Sequence, residues 1–161
     1  MKVITSGTDA FSQAIDLYAD TVYRVAIQNT ACAADAEDIT QEVFLKLLQS
    51  AKSFRDQEHI KAWLIRVTIN HCRNFARSRK HETLTAELPN TAAAQDTSVL
   101  DAVKALPENQ RNAIYLHYYE GYTAREIADL LGSRQNTVLS WLRRGREALR
   151  ETIGGIEDEQ I

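Results

Sequence analysis

Apolar residues recur every three or four positions along most of the chain, which is the spacing of one face of an α-helix. No long stretch alternates apolar and polar residues as a half-buried strand does. After a loose leader over 1–8, the pattern predicts a first helix that ends near 29–34, with a stripe made of Phe11, Ile15, Tyr18, Val22 and Val25. We therefore predict an all-α protein.

Two more helices are predicted in the N-terminal half. The second begins at Asp35, and its apolar side consists of Ile39, Val43, Phe44, Leu47 and Leu48. The third runs from His59 to about Lys80, after a loop over 53–58, and its apolar side consists of Trp63, Leu64 and Val67. The β-branched pair Thr68 and Ile69 loosens the helical pattern, so a bend or short loop is expected over 68–72.

Residues 82–98 change character, because they contain no basic residue and no helical stripe. We predict two small helical domains, 1–81 and 99–153, joined by a flexible acidic linker over 82–98 and followed by an acidic tail over 154–161. The second domain opens with a short helix, whose apolar residues are Val99, Val103 and Leu106. Pro107 is then expected at the first position of the next helix, which runs to a turn at Gly121.

Residues 121–150 predict two helices joined by a short turn. Thr123 and Glu126 have the spacing of a capping box, in which each side chain binds the backbone of the other. Gly132 is placed to end the first helix in the left-handed conformation, which glycine adopts without steric cost. Ser133 is expected to accept a hydrogen bond from the free N–H groups of the next helix.

The last helix has two unlike faces. One is apolar and small, and it carries Val138, Leu142, Gly145 and Leu149. The other is polar and basic, and it carries Gln135, Asn136, Leu139, Ser140, Arg143 and Arg144. Amide side chains can bind base edges and guanidinium groups can bind phosphates or guanine, so this pattern favours a helix-turn-helix. An ordinary helical hairpin with a solvated basic face is the alternative.

Charge is distributed unevenly along the chain. The net charge is −3, which by itself argues against binding to nucleic acid. Yet residues 61–81 contain no acid and six basic residues, namely Lys61, Arg66, Arg73, Arg77, Arg79 and Lys80. A second basic block lies over 134–150. Two such blocks predict two contacts with nucleic acid, unless both are solvated helix faces.

Other function classes find little support. The chain has no apolar run long enough to span a membrane and no basic-then-apolar leader, so we expect a cytoplasmic protein. Cys32 and Cys72 are too few for a disulfide framework. The histidines and cysteines lack the spacing of a metal site, and there is neither a glycine-rich phosphate loop nor a nucleophile motif. We predict no metal, no cofactor and no enzymatic activity.

Three stretches together resemble one family. Residues 35–48, 54–75 and 106–149 are similar, in this order, to the bacterial RNA polymerase sigma factors of the extracytoplasmic-function group. The resemblance implies a protein that binds core polymerase and directs initiation at promoters through their −35 and −10 elements. It also implies that an anti-sigma protein is a partner. The acidic second helix would dock on the polymerase clamp, through Asp38, Gln41 and Glu42.

The resemblance also assigns DNA contacts. At the −10 element it implies a set on the third helix, with Asn70 at a loop that captures a flipped base: Trp63, Arg66, Asn70, Arg73, Asn74 and Arg77. At the −35 element it implies Arg134, Gln135, Asn136, Thr137, Leu139, Ser140, Arg143 and Arg144.

Several assignments stay open at this point. The position of Trp63 in an apolar stripe favours a core role, and Asn70 could instead cap a helix. Asn136, Leu139 and Trp141 depart from the usual pattern of the family, and Leu139 could touch a thymine methyl group or pack on a neighbour. The rival function is a helix-turn-helix regulator that binds duplex DNA without polymerase, and a third is an adaptor that binds proteins through the acidic helix.

Overall fold

The N-terminal half forms three helices. The computed structural model describes residues 8–50, 53–82 and 98–153. Helix α1 is Thr8–Gln28, α2 is Ala33–Gln49 and α3 is Gln57–Glu82. The chain divides into two compact units, Met1–Thr91 and Ala92–Ile161. The predicted leader, linker and acidic tail lie outside the described residues, except that Thr8, Glu82 and Ser98 belong to helices.

The first unit is a bundle in which each helix packs against the other two. Its core contains most residues of the predicted stripes. Phe11, Ile15, Trp63 and Val67 are only partly buried, and Leu48 is exposed. The hydroxyl group of Tyr18 donates to the carbonyl oxygen of Gln57 at 3.2 Å. Each large apolar side chain that is fully buried in this core stabilises the folded state by about 1.5–3 kcal/mol. The largest fully buried ones in this unit are Val22, Val25, Val43, Leu64, Ile65 and Ile69.

Helix α3 is continuous, and the prediction of a bend or loop over 68–72 is wrong. Thr68 is fully buried, and its hydroxyl group donates to the carbonyl oxygen of Leu64 at 2.6 Å. This bond satisfies the only polar group of a side chain that would otherwise disfavour the helix interior. Ile69 and Cys72 are also buried. Burial of this row therefore outweighs the weak helix propensity of its β-branched members.

The starts of α2 and α3 are stabilised in different ways. Helix α2 starts at Ala33, two residues earlier than predicted, so Asp35 lies buried in its first turn. A carboxylate in the first turn is favoured by the helix dipole. Before α3, Asp56 accepts from the backbone N–H of His59 at 2.8 Å, and the Nδ1 atom of His59 accepts from the N–H of Arg55 at 3.1 Å. The bond to Asp56 satisfies an N–H group in the first turn of α3, and the bond to His59 satisfies one in the loop just before it.

The second unit contains four helices: α4 is Ser98–Lys104, α5 is Glu108–Tyr118, α6 is Ala124–Leu131 and α7 is Gln135–Ile153. Pro107 is the N-cap residue that precedes α5. The prediction that it occupies the first position of the helix is therefore wrong. The guanidinium group of Arg111 donates to the carbonyl oxygens of Lys104 and Leu106 at 3.3 and 3.2 Å. These bonds hold the α4–α5 connection against α5.

Helices α6 and α7 form the predicted helix-turn-helix. The capping box is present, because Thr123 accepts from the N–H of Glu126 at 3.2 Å and Glu126 accepts from the N–H of Thr123 at 2.8 Å. Gly132 ends α6 in the left-handed conformation, with φ of 65°. The prediction for Ser133 is wrong, because α7 begins at Gln135 and the position before it is Arg134. Ser133 instead donates its N–H to Ala128 at 2.8 Å.

The apolar face of α7 is buried as predicted, with Val138, Leu142 and Leu149 almost fully enclosed. Gly145 lies where α7 meets α5. A β-carbon added there would come within 2.7 Å of Cγ1 and 3.1 Å of Cδ1 of Ile114. The missing side chain therefore sets the distance between the two helices.

This contact predicts that Gly145→Ala destabilises the second unit, although alanine is the better helix former. Overpacking costs about 1–3 kcal/mol, against a gain of about 1 kcal/mol in helix propensity. In an Ile114→Ala background the same change should be stabilising, because the new methyl group fills the cavity. Urea unfolding followed by Trp141 fluorescence, with Trp63→Phe in all variants, measures the free energy of unfolding in both backgrounds. If Gly145→Ala changes this free energy in the same direction in both, the close contact with Ile114 is not the cause.

Candidate nucleic-acid interface

The face of α7 opposite its buried row is open. Arg134, just before the helix, is exposed, and Thr137 and Ser140 are half-buried. The exposed side chains of the helix on this face are Gln135, Asn136, Leu139, Arg143 and Arg144. The structure thus brings together all eight residues predicted for the −35 element. Two amides and three guanidinium groups form a surface that can bind base edges and phosphates.

Ser140 and Leu139 lie in the middle of this face. The hydroxyl group of Ser140 donates to the carbonyl oxygen of Asn136 at 3.1 Å, so its proton is engaged within the helix. Leu139 is 47% exposed. Of the two roles left open for Leu139, packing on a neighbour does not occur to any large extent within this unit. Trp141, on the adjoining side, is half-buried.

Helix α5 and the turn after it support α7. The guanidinium group of Arg146 donates to the hydroxyl group of Tyr118 at 3.2 Å. Nδ1 of His117 lies 2.7 Å from the carbonyl oxygen of Tyr122, which holds the turn that leads into α6. Tyr115 and Tyr122 are buried in the core of this unit. Tyr119 is half exposed and stacks on Tyr115, with ring centroids 5.3 Å apart.

The second candidate face lies on α3. Because this helix is unbroken, residues spaced by three and four positions share one side, and the stripe consists of Trp63, Arg66, Asn70, Arg73, Asn74 and Arg77. From Trp63 to Arg77 it is about 21 Å long at 1.5 Å per residue. Asn70 is exposed in the middle of the helix. It is therefore neither in a loop nor a cap, which corrects both expectations. The side chains of Arg79 and Lys80 lie outside the described residues.

Trp63 belongs largely to the core, as its place in the apolar stripe predicts. Its side chain is partly buried and packs against the core of the first unit. Its ring meets Phe54 edge to face, with centroids 5.7 Å apart and planes at 68°. Phe54 is itself almost fully buried. Trp63 thus forms one end of the α3 stripe and can offer only part of its surface to a base.

The outer face of α2 carries the third candidate set. Asp38, Gln41 and Glu42 are exposed, as expected for a docking surface. Leu45 and Leu48 on the same face are 52% and 54% exposed. The placement of Leu48 in the core is therefore wrong. The surface position of Leu45 was not predicted from the sequence. The signal was its spacing, because Leu45 lies four residues after Gln41 and three before Leu48, and side chains at these spacings share one face of a helix.

Glu42 is also linked to α3. Its Oε2 atom lies 3.4 Å from Nδ1 of His71. Nε2 of His71 is buried, with no hydrogen-bond partner among the described residues. Protonation of the ring would place a second N–H in this unpartnered position. The pKa of His71 lies below its ordinary value of 6.5 because burial disfavours the charged ring and Lys46 repels it, although Glu42 acts in the opposite direction.

In the part of the chain that the structure describes, no group of three or more His, Cys, Asp or Glu side chains comes together as a metal site. None of the described helices is long and apolar enough to cross a membrane.

Comparison with family models identifies both units. The model "Sigma-70 region 2" matches residues 14–82, and "Sigma-70, region 4" matches residues 96–149. Together they cover most of the chain. The chain belongs to the sigma-70 family of RNA polymerase sigma factors, in its extracytoplasmic-function group.

Similar proteins agree with this assignment. The RNA polymerase sigma factor CarQ of Myxococcus xanthus is 30% identical, and the match covers 94% of this chain and 93% of CarQ. The ECF RNA polymerase sigma factor SigE of Mycolicibacterium smegmatis is 31% identical, and the match covers 89% of this chain. This sigma factor spans only 62% of the length of SigE.

A solved structure shares the fold. It is the sigma factor RpoE in complex with the anti-sigma factor NepR from Bartonella quintana, which matches with a TM-score of 0.74. The match covers 91% of this chain and 98% of that one, at 22% sequence identity.

The surroundings of His71 predict that acid weakens the first unit of this sigma factor. The folded state holds the ring neutral, so the unfolded chain binds the proton more readily, and stability is lost as the pH falls below 6.5 and through the lower folded pKa. When unfolding is measured at several pH values, the free energy of unfolding should fall less steeply with decreasing pH in His71→Gln than in the wild type. NMR titration of the ring gives the pKa directly. Glu42→Gln should lower it further, and a value above 6.5 in the wild type would refute the assignment.

Proposed function

We propose that this chain is a promoter-specificity subunit, which binds core RNA polymerase and directs transcription initiation at promoters with particular −35 and −10 elements. One observation carries the proposal. Helices α3 and α7 each bury an apolar row and expose a polar, basic face, and they belong to separate units. Two independent contacts with nucleic acid on one chain are what a reader of two promoter elements requires.

The −35 contact belongs to α7. As the second helix of a helix-turn-helix it enters the major groove, with its N-terminal residues nearest to the base edges. Gln135 and Asn136 occupy that end and can each bind a base with a donor and an acceptor. Arg143 and Arg144 lie two turns further along and bind phosphates, which holds the helix in place without selecting a sequence.

The −10 contact belongs to the α3 stripe. A strand separated from its partner needs a basic track for its backbone and polar or aromatic groups for its bases. Arg66, Arg73 and Arg77 supply the track along one side of the helix. Asn70 and Asn74, between them, offer amide groups to unstacked bases. The length of the stripe, about 21 Å, suits a run of several nucleotides.

Docking to the polymerase belongs to α2. Exposed Leu45 and Leu48 lie beside Asp38, Gln41 and Glu42, so that an apolar patch adjoins polar and acidic side chains, both of which protein interfaces use. The leucines supply the surface to be buried, and the acids select a basic partner surface and speed its approach. We add Leu45 and Leu48 to the three residues expected from the sequence.

Other properties follow from this role. The chain carries out no reaction itself, because the polymerase supplies the chemistry. It acts in the cytoplasm, where the polymerase is. An anti-sigma protein is the natural regulator. Support comes from RpoE, whose structure was solved with the anti-sigma factor NepR.

In vitro transcription tests the proposal against a regulator that works without polymerase. Purified chain is added to core polymerase on a library of promoter fragments, and the same fragments are used in a gel shift without polymerase. We expect starts at a defined set of sequences only when chain and core are both present. Tight sequence-specific binding of the chain alone, with no effect on initiation, would establish the rival function.

The position of Asn70 on α3 predicts that Asn70→Ala impairs promoter opening and leaves core binding unchanged. The side chain is exposed, so its removal should change stability by less than about 0.5 kcal/mol. Permanganate footprinting of the −10 region measures opening, and pull-down with core polymerase measures docking. Asn109→Ala, an exposed truncation on α5, is the matched control. Loss of core binding in Asn70→Ala would show that Asn70 acts through the docking surface.

A further inference from the structure

Leu139 is the apolar member of an otherwise polar face. The residue is 47% exposed to solvent. Alanine or lysine would serve the helix equally well at such a position, because both have high helix propensity. A leucine there contributes little to folding, and its apolar surface becomes useful only when a ligand covers it.

Its position indicates which ligand. Leu139 follows Gln135 by one helical turn and precedes Arg143 by one turn, so the three side chains form a row about 12 Å long. Gln135 is the first residue of α7. Leu139 therefore lies between the end of the helix that reaches base edges and the turns that reach the backbone.

The charges around Leu139 favour DNA over an apolar protein surface. Arg134, Arg143 and Arg144 are all exposed on the same helix or just before it. An apolar protein partner would have to bury these guanidinium groups or leave them at the rim of the contact, whereas phosphates on both sides of a groove neutralise them. Charge complementarity thus selects duplex DNA as the surface that covers Leu139.

Only one base pair presents an apolar group in the major groove. Thymine carries a C5-methyl group beside its O4 acceptor, while guanine, cytosine and adenine present only hydrogen-bond donors or acceptors, which a leucine leaves unpaired. The neighbouring hydroxyl group of Ser140 donates to Asn136 within the helix, at 3.1 Å. It therefore has no free proton with which to compete for the same base edge.

We propose that Leu139 is a specificity-determining residue that packs against the C5-methyl group of one thymine in the −35 duplex. This inference rests on the proposed function, because it concerns the contact of α7 with the −35 element. It assigns the preference for one base to a side chain that forms no hydrogen bond with it.

Replacement of thymine by uracil tests the contact, because the two bases differ by that methyl group alone. The full chain with core polymerase first selects its −35 sequence from a randomised duplex library. Each thymine of the selected element is then replaced by deoxyuridine in turn, and binding is measured by competition. At one position we expect a loss of about fourfold, the effect of exposing one buried methyl group. The loss should disappear at that position alone in Leu139→Ala.

Two further variants separate Leu139 from its neighbours. Arg143→Ala should keep the sensitivity to uracil and lower the slope of log affinity against log salt by about one unit. Leu139→Lys should lose the sensitivity and increase that slope. Because residue 139 is exposed, the melting curves of both Leu139 variants should match the wild type, which shows that they fold.

The possible results are distinct. If replacement of each thymine by deoxyuridine weakens binding by the same factor in the wild type and in Leu139→Ala, or if no replacement weakens binding, the inference is overturned and the proposed function stands. If Leu139→Ala binds DNA as the wild type does but no longer binds a purified anti-sigma protein, the residue is a protein contact and the inference is again wrong. A chain that directs no initiation at any sequence would overturn the proposed function as well.

Discussion

Helices α3 and α7 each bury one row of side chains, and the position of that row decides what they present to a ligand. On α3 the row includes Leu64, Thr68 and Cys72, and it keeps the helix continuous through a segment of weak helix propensity. The hydroxyl group of Thr68 makes this possible, because it bonds to Leu64 at 2.6 Å and leaves no polar group unsatisfied. Residues on the opposite side are then aligned over four turns.

The same constraint operates on α7 through Gly145. The absent side chain lets α7 approach Ile114 of α5 closely, and the buried contacts of Val138 and Leu149 set the rotation of the helix about its axis. This rotation exposes Gln135, Leu139 and Arg143 together. The capping box at Thr123 and the left-handed Gly132 fix the turn before it. The face of α7 that we propose to contact DNA thus depends on packing made by residues outside that face.

The proposed docking surface and the proposed −10 contact lie side by side in the first unit. Glu42 faces outward on α2, yet its carboxylate lies 3.4 Å from His71 on α3, one residue from Asn70. Because the Nε2 atom of that ring is buried without a partner in the described structure, the ring has one favourable arrangement, with Nδ1–H toward Glu42. The surface proposed to meet the polymerase and the helix proposed to hold the −10 strand are therefore joined by a direct contact.

By itself the sequence determined the all-α fold, most helix boundaries to within two residues, the capping box and both faces of α7. These features depend on local spacing and backbone chemistry, which a linear pattern records. The tertiary structure decided the path of α3 through Thr68 and Ile69, the exposure of Leu45, Leu48 and Leu139, and the close approach at Gly145. Each of these depends on which neighbours cover a residue. A leucine at a helical spacing is a core residue or a surface residue according to what packs on it, and only the folded chain supplies that neighbour.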